Sequence, residues 1–296
     1  MDPLDYLHLS RVPLRAQPPK LERLNISGQY ATSLMVHVPL RKHGLPVLML
    51  HGIQSHPGWF VGSADALAGA GHPVYQLQRR GSGANAKDRG HASSPGELLS
   101  DLDAAIHHVL TRTGASRLHL VGISWGGKYA ACYAMDRRRA GHLRGLTLVT
   151  PGIVPQVDVS VGTKLAIGLS CLLSPRKSFP IPLNDTSLFT DNPAMRDYLG
   201  LDAHRLHAAT ASFLLTSYKM DKMLSGAPAG ALSLPVTLFL ARRDRIIDNA
   251  ATRQRVQELA GPTLRVIEMD AAHTIEFEPD PEPYFAALVE AVAAHE

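Results

Sequence analysis

Three observations predict an α/β protein: a mostly parallel sheet flanked by helices, with a helical insertion in the second half of the chain. Short apolar runs alternate with amphipathic helical stretches through the first half, and the alternation resumes near the end. Between about Gly152 and Ser233 that rhythm stops. Finally, 296 residues, 45% hydrophobic and 19% charged, are enough to bury one sizeable core and too apolar for general disorder.

The candidate strands are Pro46 to Leu50, Pro73 to Leu77, Leu118 to Val121, Leu146 to Val149, Val236 to Leu240 and Leu264 to Ile267. Between them, "PGELLSDLDAAIHHVLTRTG" has helical apolar spacing and stops at Gly114, while "DNAATRQRVQELAG" opens on a capping Asp248 and stops at Gly261. The last segment, "DPEPYFAALVEAVAAHE", reads as a helix with prolines in its first turn. Strands separated by helices imply parallel pairing with both faces covered.

The interrupting region has no good strand. It has turn signals in "SPRKSFPIPLNDTS" and helical stretches near 161–173 and 202–217. At about 80 residues it is far longer than an ordinary connection, so it reads as a small helical cap. The expected division is a core of residues 1–151 and 234–296 with a cap at 152–233.

Composition excludes some classes of function. The net charge of +4 is spread thinly, apart from Arg137-Arg138-Arg139 and Arg242-Arg243, so no basic face suited to nucleic acid is expected. Cys132 and Cys171 sit in apolar stretches without metal-ligand spacing and read as buried free thiols. The opening "MDPLDYLHLSRVPLRAQPPK" has acids and prolines where a secretion signal needs a basic start and an unbroken apolar stretch, so a cytoplasmic location is expected. No segment reaches the roughly 20 apolar residues that span a bilayer. "VGTKLAIGLSCLLS", residues 161 to 174 with Lys164 inside it, has the character to touch a membrane surface or an oily ligand. Oligomeric state leaves no mark on the sequence.

The chemistry starts at "LHLVGISWGGKYA", where an apolar run meets three glycines and a serine. Gly122-Ile123-Ser124-Trp125-Gly126 fits G-x-S-x-G, a sharp strand-to-helix turn that holds its serine above the strand end, and the glycines keep side chains out of a crowded corner. Position after a strand and before "KYAACYAM" separates this from a chance match. A serine hydroxyl needs a base, and the base an orienting acid. His273 follows the last strand, and Asp244 follows the one before it. Asp248 is the rival acid, although it suits a helix cap better. Asp270, three residues before His273, is a weaker rival. The backbone N–H of Trp125 is one expected oxyanion donor. The second comes from "VLMLHGIQSHPGWF", with Ile53 favoured over Gln54 and with His51 as a loop brace.

Together these pieces resemble the α/β-hydrolase superfamily, in its lysophospholipase or monoacylglycerol-lipase-like branch, which borders serine aminopeptidases. The resemblance covers about residues 44 to 151 and 234 to 290 and rests on "HGIQSHPGWF", "RRGSGANAKDRGH", "GISWGG" and "RRDRIIDN". Gln78 departs from it, since relatives often carry aspartate there. The resemblance implies a capped hydrolase without metal or cofactor that cleaves esters through an acyl-enzyme on Ser124, His273 and Asp244. Serine at the elbow argues against the dehalogenases and epoxide hydrolases of this fold, which use aspartate.

The substrate is read from the insertion. "LAIGLSCLLS" and "LHAATASFLL" are leucine-rich and suit an acyl chain, though the same helices also serve simply to pack on the sheet. An aminopeptidase would want carboxylates beside the serine. The insertion has no glutamate, only aspartates such as Asp191, Asp197 and Asp221. His204 and His207 have a metal-compatible helical spacing but no evident third ligand, and Arg79 and Arg80 read as loop braces before anion binders. Trp125 either lines the acyl pocket or packs beneath the cap. A silent scaffold of the same shape, an amidase and an acyltransferase stand as alternatives.

Overall fold

The computed structural model describes residues 14–26 and 30–295. The reading of residues 1–20 as lacking a secretion signal falls mostly outside them, at 1–13.

An eight-stranded sheet runs through the molecule. In chain order its strands are β1 (Lys20–Ile26), β2 (Tyr30–His37), β3 (Val47–Leu50), β4 (Val74–Leu77), β5 (Leu118–Ile123), β6 (Leu143–Val149), β9 (Val236–Ala241) and β10 (Leu264–Met269). Their spatial order is β1-β2-β4-β3-β5-β6-β9-β10. From β4 to β10 all neighbours are parallel, whereas β2 is antiparallel to both β1 and β4. Every residue of β3, β4, β5 and β9 is buried, as expected of strands covered on both faces.

Helical cover comes from α1 (Val61–Gly69), α2 (Pro95–Thr113), α3 (Trp125–Ala134), the short α4 (Arg137–Ala140), α8 (Asn249–Ala260) and α9 (Glu282–Ala293). α1 packs on α9, and α3 packs on β5 and β6. The caps follow the sequence. Ser94 accepts from Glu97 N and Gly114 closes α2 at φ 72°, while Asp248 accepts from Ala251 N at the start of α8.

Between β6 and β9 lie α5 (Val161–Leu173), β7 (Ser178–Pro180), α6 (Pro193–Leu201), β8 (Ala208–Thr210) and α7 (Ala211–Gly226). Three of the expectations change here. The stretch 202–207 is turn and extended chain, so His204 and His207 have no helical spacing, and α7 starts only at Ala211. Pro193, just after an Asn192 side chain that accepts from Ala194 N, opens a further helix in a region where only 161–173 and 202–217 were expected to be helical. β7 and β8 form a small antiparallel pair in a region expected to hold no strand. Of the two cysteines, Cys132 is buried, its thiol pushed up to about 12 by burial, whereas Cys171 is only partly covered.

Candidate active site

Because β3, β5, β9 and β10 run parallel, their C-terminal ends share one edge of the sheet, where ligands of such sheets bind. The loop at 51–56, the serine elbow, Asp244 and His273 all start there.

Ser124 follows β5 directly, at φ 53° and ψ −124°. A β-carbon pays strain in that conformation, and the surroundings hold it there. Ser124 N donates to Val149 O, and Ser124 O accepts from both Gly127 N and Gly152 N. The corner is closely packed. A β-carbon on Gly122 would come within 2.7 Å of Gly127 Cα and of Ala130 Cβ, so only glycine fits.

His273 Nε2 lies 2.9 Å from Ser124 Oγ, and His273 Nδ1 lies 2.8 Å from Asp244 Oδ2. A carboxylate only accepts, so Nδ1 carries the proton and Nε2 is left to accept from the serine hydroxyl. Both side chains are almost wholly buried, His273 at 2% and Asp244 at 0%. Asp244 Oδ1 accepts from Ile246 N and Ile247 N, which fixes the carboxylate plane. Asp248 is occupied as the cap of α8, and Asp270 is largely exposed and pairs with Arg243.

The loop after β3 is braced from behind. Burial is the main cause that keeps the His51 imidazole well below its ordinary pKa, so it is neutral. Its Nε2 accepts from Arg79 N, and its Nδ1–H donates to Gly52 O at 2.8 Å. That carbonyl belongs to the peptide whose N–H is Ile53's, so His51 orients the favoured oxyanion donor. Arg79 Nη2 donates to Ile53 O, with its guanidinium stacked over Trp125 and Phe213. Arg80 forks onto Asp101 and reaches Glu97. Both arginines are thus engaged in bracing. Trp125 opens α3, where an N–H has no intrahelical partner. Its indole donates to Ser217 on α7, which places the ring beneath the insertion.

A narrow pocket borders Ser124 and His273. Gly52 to Ser55 form one wall, Trp59, Phe60 and Ile123 add apolar surface, and Leu183 and Phe189 approach from the insertion. Sequence reasoning missed the residues that hold this roof in place. Arg205, buried and in the insertion, donates through Nε and Nη2 to Gln54 Oε1 at 3.1 and 2.9 Å, to Leu183 O, and through Nη1 to Leu199 O. Asp202 Oδ2 accepts from His56 Nε2 and Trp59 Nε1 at 2.9 and 2.7 Å. Burial works against its charge, but these bonds outweigh it and hold the carboxyl at about 2. Thr274 N, next to His273, donates to Phe189 O. No local pattern marks these residues, because the partners that tie the insertion to the sheet-edge loops lie about 85 to 150 positions away.

A mostly parallel sheet carrying a strained serine, a histidine and a buried carboxylate at one edge defines an α/β-hydrolase. Within that superfamily the chain belongs to the serine aminopeptidase S33 family, whose model matches residues 42–280. No curated protein sequence matches it significantly. Among solved structures it is similar to a Paleococcus ferrophilus monoacylglycerol lipase (TM-score 0.76, 22% identity, 94% of this chain and 100% of that one). It is also similar to a soluble variant of the Saccharomyces cerevisiae monoglyceride lipase bound to a substrate analog (TM-score 0.81, 17% identity, 96% and 97%). A thermostable carboxyl esterase from Bacillus coagulans has the same fold (TM-score 0.76, 14% identity, 94% and 99%).

Proposed function

We propose that this protein is a carboxylic ester hydrolase that works through an acyl-enzyme on lipid-like esters of the monoacylglycerol or lysophospholipid type. One observation carries the reading: the strained Ser124 hydroxyl touches His273 Nε2 while His273 Nδ1 touches the buried Asp244. In this mechanism Ser124 Oγ attacks the ester carbonyl as His273 Nε2 takes its proton. Asp244 steadies the imidazolium, and the N–H groups of Ile53 and Trp125 hold the oxyanion. His273 returns the proton to the departing alcohol. Water, deprotonated by the same nitrogen, then releases the acid. In this reading residues 1–151 and 234–296 are the hydrolase core and 152–233 are its cap.

The pocket supports an ester with an apolar acyl part. Trp59, Phe60, Ile123, Leu183 and Phe189 supply apolar walls. No carboxylate is among its lining residues, so nothing described there would hold the ammonium of an aminopeptidase substrate. Asp191 pairs with Arg245, and Asp221 pairs with Lys128. A lipid-like substrate also suits the outside of the cap. On α5, Val161, Leu165, Leu169, Leu172 and Leu173 are 59–82% exposed, while the one buried residue is Ser170. An ordinary surface helix buries its apolar face, so this inverted one suits peripheral contact with a membrane. Nearby, Lys164 pairs with Asp158 and Arg176 with Asp88, so the exposed apolar side chains, more than charge, carry this part of the reading. Among the described residues no helix is long and apolar enough to cross a membrane. Two free cysteines fit a reducing, cytoplasmic setting.

Labelling with a fluorophosphonate probe, followed by a panel of short and long p-nitrophenyl esters, monoacylglycerol, lysophospholipid and aminoacyl amides, tests this. Labelling should vanish in Ser124→Ala, and His273→Ala should cut ester turnover by about 10⁴-fold while remaining folded. Near-normal turnover in His273→Ala overturns the assignment of the base, and a preference for aminoacyl amides overturns the lipid-ester reading.

A further inference from the structure

Two polar atoms in the pocket are left over once the proposed mechanism has been supplied. Gln54 is 1% exposed and lines the pocket. Its Oε1 is held by two N–H bonds from the Arg205 fork, and because a guanidinium only donates, this fixes which end of the amide is oxygen. Gln54 Nε2, with two hydrogens to give, is buried and has no hydrogen-bond partner among the described residues. The same is true of the next side chain along the same wall, Ser55 Oγ, in a residue 2% exposed.

Ser55 lies close to the nucleophile. Ser55 Oγ and Ser124 Oγ are 3.1 and 3.4 Å from the one point where a β-carbon on Gly52 would sit. Buried donors without partners are costly and rare, and two adjacent ones lining the same pocket call for an acceptor that the protein does not supply. The oxyanion does not fill that role, since it is assigned to backbone N–H groups. The acceptor required is a second oxygen of the substrate, a few bonds from the ester carbon that reaches Ser124.

We propose that Gln54 Nε2 and Ser55 Oγ form a polar subsite for an oxygen function next to the scissile ester, held in register by Arg205. This rests on the hydrolase reading above and deepens it. A hydroxyl on the alcohol part and a hydroxyl on the early carbons of the acyl part share the required chemistry. Arg205 also ties the subsite to Leu183, because the same guanidinium donates to Leu183 O.

The test compares kcat/KM for three esters of one acyl length: the ethyl ester, the 2,3-dihydroxypropyl ester and the ethyl ester of the 3-hydroxyacyl acid. The wild type should favour one of the oxygenated esters over the plain one by at least tenfold, and which one tells where the oxygen sits. Ser55→Ala, a change of one atom, and Gln54→Met should each bring that ratio down at least fivefold, through KM. An active wild type that treats the three esters alike, or variants that keep the ratio, overturns the subsite alone. A wild type that hydrolyses no ester and takes no fluorophosphonate at Ser124 overturns the hydrolase reading and the subsite with it.

Discussion

The two halves of the insertion meet the rest of the molecule in opposite ways. From Leu183 to Leu206 the chain is tied to the loops at the sheet edge: Arg205 and Leu206 to Gln54, Asp202 to His56 and Trp59, Phe189 to Thr274, and Asn192 to Phe277. The α5 helix has little of this. It packs on α7, shows solvent a row of leucines, and buries a serine. The contrast teaches that one insertion divides two tasks. The tied half spends polar groups that are costly to bury, and these are tolerable only because each is met by a partner. The free half leaves apolar surface where a soluble helix would place charge.

The largest effect should come from cutting the tied half loose. Arg205→Met removes the donors to Gln54 Oε1, Leu183 O and Leu199 O together and leaves those buried acceptors without partners. At about 1–3 kcal/mol for each unsatisfied buried group, partly relieved by relaxation, urea denaturation should show a loss of about 3–5 kcal/mol. A loss under about 1 kcal/mol would mean that the roof holds without its guanidinium, and the comparison would fail.

A somewhat smaller effect tests where pH sensitivity resides. Burial raises the Glu276 carboxyl to about 7, although Gly62 N, Ser63 N and Ser63 Oγ all donate to it. Its neighbours in the turn, Thr274 and Phe277, anchor the tied half. A folded value above the unfolded one means that stability is highest below about pH 4.5 for this group and falls as pH rises toward 7. Asp202, depressed to about 2, is ionised throughout that window and adds no slope. Glu276→Gln mimics the protonated form, so it should remove a decline of about 2–3 kcal/mol between pH 5 and 8. An unchanged pH profile of Tm would show that the slope has another source.

The sequence revealed the parts of the fold and site whose signals are local. The elbow is five consecutive residues, and Asp244 and His273 each stand just past a strand, so all three side chains that meet at the sheet edge could be named in advance. The edge hairpin was not legible. β1 reads "KLERLNI" with most positions exposed, and among the described residues it pairs with β2 alone, so it lacks the apolar run of a central strand. α1, "VGSADALAG", is buried on nearly every side and therefore shows no helical stripe. Asp202, Arg205 and Gln54 were invisible as a group because their meaning is a contact across about 150 residues, and nothing in a neighbouring residue signals it.

The smallest effect on stability should come from the free half. Leu165→Glu, Leu169→Glu and Leu172→Glu each replace a side chain already 59–82% exposed, so each should move stability by no more than about 0.5 kcal/mol and leave the turnover of a soluble short ester as it was. The same charges set against an anionic surface should be felt strongly. Binding to phosphatidylcholine vesicles containing phosphatidylglycerol should drop at least tenfold in the triple variant, because three carboxylates then face the lipid in place of leucines. If the wild type ignores both anionic and neutral vesicles and instead sediments as a dimer that the glutamates dissociate, then a second copy covers α5, and the exposed leucines belong to a protein interface.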